Sequence, residues 1–303
     1  MRRASTVAGS AGGVPALSRR APEVLSPRRL VVRRFFRDRT AVLGLLVVLG
    51  MAVMAAAAPL VPSLDPSGQD LSLRRAPPGP GNPFGRDALG RDILARVAHG
   101  ARYTLGAALL ATTLAGLVGV PLGLSAGYRG GWSEGLIMRT TDVMLAFPYL
   151  LLAIIIVAIL GPGLVSAAVA VGITRTPQYI RVVRGTALTV KQAEYVEAAQ
   201  ALGASDVRIV GRHLLPNVLA PIVVLATVGL GADVLSIAGL SFLGLGAQPP
   251  IPEWGLMVAE GRSYLFDAAH IIVAPGMFLL VLVLAFNLLG DGLRDALDPR
   301  LRR

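Results

Sequence analysis

Asp233 is the acidic side chain set deep in an apolar run. An ionisable group there is a candidate for a substrate path, a proton relay or a pairing between helices. A proton-coupled carrier needs several such groups on different helices. The sequence shows no second deeply placed acid, so Asp233 reads as a residue that lines a pathway or contacts another helix. The stretch GLSAG at 123–127 matches the GxSxG nucleophile elbow. That elbow requires a strand, a sharp turn and a helix, whereas Ser125 lies at the end of a long apolar run. Gly119, Gly123 and Gly127 recur every four residues, a small-residue stripe for close helix packing. Other chemistries fail on composition. A phosphate-binding P-loop needs a Gly-Lys pair, and the one lysine, Lys191, follows Val190. His99, His213 and His270 are isolated, and the absence of cysteine excludes disulfides, thiol nucleophiles and thiolate metal sites. No catalytic residue, metal ligand or cofactor is expected within this chain.

The elements that must position these residues follow from composition. Of 303 residues, 54% are hydrophobic and 16% charged, against about 25% charged in a soluble domain. That excludes both a soluble enzyme and a disordered chain. Residues 40–64, 103–128, 143–174, 214–232 and 268–290 lack charge or nearly so, and each exceeds the ~18 residues that suggest a spanning helix. The 143–174 run is too long for one crossing, and Gly161-Pro162-Gly163 divides it. The expectation is an all-α, polytopic membrane protein with six spans, at about 40–62, 103–126, 138–160, 163–181, 217–240 and 269–290. Pro121, Pro148 and Pro177 fall in or beside these spans and are read as shaping helices.

Residues 1–25 form a basic tail without periodicity, and Ser26-Pro27 reads as a helix cap and first helical position. Residues 26–39 are expected to be an interfacial basic helix. Its Leu30, Val31, Phe35 and Phe36 dip into the lipid bilayer, while Arg28, Arg29, Arg33 and Arg34 meet anionic headgroups. A secretory signal is disfavoured because the apolar run exceeds the 7–15 residues of a signal core. The net charge of +11 follows the membrane flanks, which argues against a nucleic-acid partner. With a cytoplasmic N-terminus, 22 basic residues lie inside and 7 outside. Both termini, including the 291–303 tail, are therefore assigned to the cytoplasm.

The longest inner loop, 191–216, reads KQAEYVEAAQALGASDVRIVGRHLLP. Val196, Ala199 and Leu202 recur at helical spacing, with Glu194 and Glu197 on the more exposed side. Gly203 reads as a left-handed helix stop. Ser205 can cap a second short helix bearing Val207, Val210 and Leu214. A solvated loop has little reason to keep an apolar face through this length, so a docked partner is expected.

These residues resemble the EAA loop of bacterial ABC importer permeases: Glu197-Ala198-Ala199, Gly203 and Leu215-Pro216. His213 departs from the general pattern, which prefers Ile, and the surrounding ASDVRIVGRHLLPN looks like the peptide-permease branch. NPFGRDALGRDILARVAHGARYTL at 82–105, DVMLAFPYLLLAI at 142–154, LSFLGLGAQPPIPEWG at 240–255 and NLLGDGLRDALDPRLR at 287–302 resemble that branch too. The similarity runs from about residue 30 to the C-terminus and points to the C-type permease subunit of dipeptide/oligopeptide importers. It implies the type I importer (MetI-like) fold in a bacterial plasma membrane. It also implies a second, B-type permease subunit, two cytoplasmic ATPase subunits that bind ATP and Mg, and an extracytoplasmic substrate-binding protein. Glu197, Ala198, Ala199, Leu202, Gly203, Asp206, Leu215 and Pro216 are the implied ATPase-coupling residues. Relatives of this machinery carry dipeptides, oligopeptides, nickel chelates, glutathione or oligosaccharides. An ion-coupled secondary carrier is the alternative from another class, and an intramembrane hydrolase rests on GLSAG alone.

Overall fold

The computed structural model describes residues 27–297. The expected 1–25 tail, the capping role of Ser26 and residues 298–303 lie outside the described residues. In chain order the helices are α1 (Pro27–Arg37), α2 (Arg39–Ala57), α3 (Ile93–Arg129), α4 (Gly131–Ala146), α5 (Tyr149–Leu160) and α6 (Leu164–Lys191). They continue with α7 (Glu194–Ala201), α8 (Asp206–Ile209), α9 (Leu215–Phe242), α10 (Trp254–Gly261) and α11 (His270–Leu297). Among the described residues there is no strand, only the isolated bridges Gly79–Asn82 and Arg86–Asp92. The all-α fold class expected from composition is what the chain adopts.

Local chemistry explains where the helices start. Asp38 caps α2, accepting from Thr40 N at 2.9 Å and Ala41 N at 3.3 Å, which satisfies donors the first turn leaves free. Asp92 caps α3 by accepting from Ala95 N. Glu253, wholly buried, caps α10 through Gly255 N and Leu256 N, both at 2.8 Å. Burial raises the Glu253 carboxyl above its usual range, and the two backbone donors oppose that shift.

Three helix bounds depart from the hydropathy reading. Helix α3 has 37 residues and begins ten before the expected 103–126 span. Polar Arg96, His99 and Arg102 hid this extension. Arg96 is buried because it pairs with Asp87 at 2.7 Å and Glu260 at 3.0 Å, and Arg91 pairs with the same two carboxylates. The 138–160 segment is not one helix: α4 and α5 meet at Phe147-Pro148 with a bend of 98°. Pro148 cannot donate to the preceding turn, and it disfavours helical geometry at Phe147, whose ψ is 141°. Helix α6 runs ten residues past the expected end at 181, taking in Arg184 and Lys191. Four helices among the described residues are long and apolar enough to cross a membrane, and the bent α4–α5 pair makes five. Helix α6, with Arg175, Arg181, Arg184 and Lys191, falls outside that composition test.

The bundle centres on α3 against α6. A Cβ added at Gly123 would lie 2.7 Å from Val183 Cβ, and one at Gly127 would lie 2.7 Å from Ala187 Cβ. Gly119 faces Tyr179 in the same way. The stripe lets the two backbones meet, and Ser125 is part of this helix with no elbow around it. A second core gathers Ile93, Val97, Trp254, Met257, Leu282 and Phe286 from α3, α10 and α11. Phe35 of α1, expected in the lipid, is instead buried within the protein beside Leu289, Leu293 and Ala296 of α11. Val32 and Phe36 of α1 point outward with Arg29, Arg33 and Arg37.

Candidate functional site

The predicted coupling loop folds as α7, a glycine bend, α8 and a π-helical turn (Val210–Leu214) that runs into α9. Gly203 has φ +78°, a left-handed conformation that suits glycine. Ala204 N then reaches back to Ala199 O at 3.0 Å. Ser205 stands at the N-cap of α8, but its side chain makes no capping bond. One face of this unit is fastened to the helix bundle. Val196, Ile209, Leu214 and Val218 are buried with Leu124, Tyr128, Val183 and Ala187 from the ends of α3 and α6. Tyr128 Oη donates to Asp206 Oδ1 at 2.7 Å, and Lys191 Nζ donates to the Tyr128 carbonyl at 2.6 Å.

The opposite face is bare. Leu202 is 89% exposed and Val207 84%, with Tyr195 half exposed nearby in sequence. Glu197, Ala198, Asp206 and Pro216 are exposed, while Ala199 and Leu215 are partly buried. The expected apolar face of Val196, Ala199 and Leu202 is thus split: Val196 anchors, whereas Leu202 and Val207 are displayed. Helical spacing alone missed this because Gly203 reverses the chain directly after Leu202. It also missed Ile209 as an anchor, and Tyr128 and Lys191 as the groups that hold the unit. A rigid base carrying two exposed apolar side chains suits docking into a partner's cleft.

Asp233 lies elsewhere, in α9, and is 2% exposed. Its Oδ1 accepts from Arg175 Nε of α6 at 2.7 Å, and its Oδ2 accepts from Thr112 Oγ1 of α3 at 2.7 Å. Arg175 also donates to Gln178 Oε1 at 2.9 Å and to the Gly229 carbonyl at 3.3 Å. This joins three helices through one buried carboxylate. Of the two roles the sequence leaves open for Asp233, the structure shows contact with other helices, through an ion pair across 58 positions of sequence that no local pattern reveals. A buried acid with a paired guanidinium is not a free proton carrier. Among the described residues no group of His, Cys, Asp and Glu could hold a metal ion.

Comparison with known proteins decides what this arrangement belongs to. Residues 119–303 match the family described as binding-protein-dependent transport system inner membrane component. The chain belongs to that family. Residues 26–78 match the N-terminal TM domain of oligopeptide transport permease C. The permease is 43% identical over 278 residues to the dipeptide transport system permease protein DppC of Alkalihalophilus pseudofirmus, covering 92% of this chain and 91% of that one. It is 45% identical over 280 residues to the glutathione transport system permease protein GsiD of Pectobacterium atrosepticum, covering 92% and 93%. An inward-facing structure of the MetNI methionine ABC transporter aligns with TM-score 0.55 and 22% identity, covering 68% of this chain and 98% of that chain. That likeness establishes the MetI-like fold. The permease is therefore an inner-membrane component of an ABC importer and not an enzyme. Such a component works with ATPase subunits and a substrate-binding protein.

Proposed function

We propose that this permease is the C-type subunit of an importer for di- and oligopeptides, and that segment 191–216 couples it to separate ATPases. The observation that carries the coupling assignment is the two-faced loop: Val196, Ile209 and Leu214 fixed to α3 and α6, with Leu202 and Val207 displayed. A loop fastened in this way moves with the bundle as one body, so a push on the exposed face reaches α3 and α6 directly. Glu197, Ala198, Ala199, Leu202, Gly203, Asp206, Leu215 and Pro216 form or border that docking unit. ATP and Mg act on the ATPases, and this chain supplies no group for hydrolysis.

Both termini lie in the cytoplasm in this proposal, with the α7–α8 end of the bundle inside and the 58–92 and 249–269 segments outside. Setting aside Arg175, which lies inside α6 against Asp233, leaves 21 basic residues inside against 7 outside, still a threefold excess. Two of those seven, Arg91 and Arg96, are neutralised by Asp87 and Glu260. Six crossings follow when the α4–α5 pair and α6 each count as one span. A B-type permease completes the pathway, and α1 rests on the anionic inner leaflet. The high identity to a dipeptide and a glutathione permease supports short peptides as cargo.

The test is uptake of a labelled ladder of di- to pentaalanine by the reconstituted complex with its binding protein. Uptake that requires both ATP and the binding protein is expected. A complex that moves none of the ladder would refute the cargo assignment.

A further inference from the structure

A cavity of about 200 Å³ opens where α4 breaks into α5, lined by Phe147, Tyr149, Thr174, Arg175, Gln178 and Ala232 among others. Its depth is set by the shared turn Gly161-Pro162-Gly163. Tyr149 in α5 and Arg175 in α6 each lie eleven residues from that turn's flanking helix ends, about 16 Å at about 1.5 Å per residue. Asp233 lies nine residues from the same-side end of α9, about 14 Å away. Against a hydrocarbon core of about 30 Å, all three sit near the midplane. A helix broken at the midplane beside a buried charge is the arrangement transporters use to meet polar cargo.

We infer that this cavity is a transit subsite for the terminal carboxylate of a peptide, with Arg175 as its recognising group. The inference rests on the proposed peptide cargo. Asp233 takes only the Nε edge of the guanidinium, and Thr112 takes the other carboxylate oxygen. The two Nη groups are held by neutral acceptors, Gln178 Oε1 and the Gly229 carbonyl. A passing carboxylate competes well against neutral acceptors for such a fork, because bonds to an ionised oxygen are stronger. Asp233 thereby orients the fork without occupying it. Helix α5 adds to the attraction, since its first turn at Tyr149 borders the cavity and has no side-chain cap. The volume falls below the roughly 300–1,000 Å³ of a drug-sized site, so it accepts one end of a peptide and not the whole. A site that reads only the terminal carboxylate tolerates many side chains.

The experiment uses the full reconstituted complex and the labelled alanine ladder. Arg175→Lys keeps the positive charge beside Asp233 but loses the planar fork. It should still assemble with its partner subunits, and uptake should fall about tenfold. The charge swap Arg175→Asp with Asp233→Arg restores an ion pair but presents a carboxylate to the cavity, and should not recover uptake. Uptake by the Lys variant within twofold of wild type, or recovery by the swap to half of wild type, would show that the pair is structural only and would overturn the inference. A wild-type complex that moves no peptide would instead refute the cargo assignment on which the inference rests.

Discussion

Neutralising one partner of the Arg175–Asp233 pair should destabilise the permease far more than neutralising both. Asp233→Asn leaves the guanidinium, only 18% exposed, facing neutral oxygens from Gln178 and Gly229. Breaking a buried pair from one side costs about 3–5 kcal/mol, because the remaining charge is uncompensated. Arg175→Gln is the mirror case: it leaves a carboxylate that is 2% exposed with only Thr112 as a firm donor. The double variant Arg175→Gln/Asp233→Asn removes both charges, and the two amides can still bond across α6 and α9. It should lose only about 1–2 kcal/mol, the scale of neutral hydrogen bonds. The coupling between the two sites is then at least about 4 kcal/mol, above the roughly 0.5–3 kcal/mol usual for contacting residues, because each single variant strands a buried charge. The assay is thermal unfolding of the purified complex in detergent, with membrane abundance alongside. Each single variant should lower the midpoint by on the order of 10 °C, on the roughly 2–4 °C per kcal/mol of domains this size, and the double variant by far less. Additive losses, or single variants within about 1 kcal/mol of wild type, would show that the pair bears no energy.

Further outcomes follow from other contacts. Gly123→Val should force α3 from α6, because even a Cβ there meets Val183 Cβ at 2.7 Å and the Ile180 carbonyl at 2.9 Å. A loss of about 1–3 kcal/mol should appear as reduced abundance and thermal stability, whereas Gly50→Ala, facing open space in α2, should lose neither. Tyr128→Phe deletes the bond to Asp206. It should cost about 1.5–3 kcal/mol for a bond to a charged group, and hydrogen exchange across 194–209 should rise while that of α3 stays unchanged. In this cysteine-free chain, Phe266→Cys (98% exposed in the native chain) should be labelled by an impermeant maleimide in intact cells. Leu202→Cys should be labelled only after permeabilisation, and labelling in intact cells would invert the proposed orientation.

What the sequence makes legible is what depends on near neighbours in the chain. The apolar runs locate the long helices, and Gly161-Pro162-Gly163 marks the turn between α5 and α6. Gly203 marks the bend because a left-handed residue is a local property. The glycine stripe of α3 also reads correctly, since a four-residue period needs only one helix. Pairings between distant segments are invisible to such patterns. Arg175 with Asp233, Tyr128 with Asp206, and Arg96 with Glu260 join residues 58, 78 and 164 positions apart. Each gives a charge or polar group a partner that hydropathy does not see. The early start of α3 and the anchoring of the 191–216 loop are therefore missed, as is the late end of α6, whose Arg184 pairs with Glu134 of α4. The α4–α5 break was written in Phe147-Pro148, but the apolar run on both sides masked it.

If segment 191–216 transmits the ATPases' work to the helices, Gly203→Asp should break that link without unfolding the permease. A Cβ at Gly203 meets nothing within 4 Å, so the folded permease bears only the backbone cost of a side chain at φ +78°, about 1 kcal/mol. The exposed face beside Leu202 would then carry a carboxylate into the partner's cleft, where desolvation costs several kcal/mol more. The measurement is co-purification of the ATPases with the variant, together with peptide uptake and membrane abundance. The expected result is normal abundance with the ATPases and uptake both lost, as the coupling role requires. A variant that keeps its ATPases and transports at the wild-type rate would contradict it.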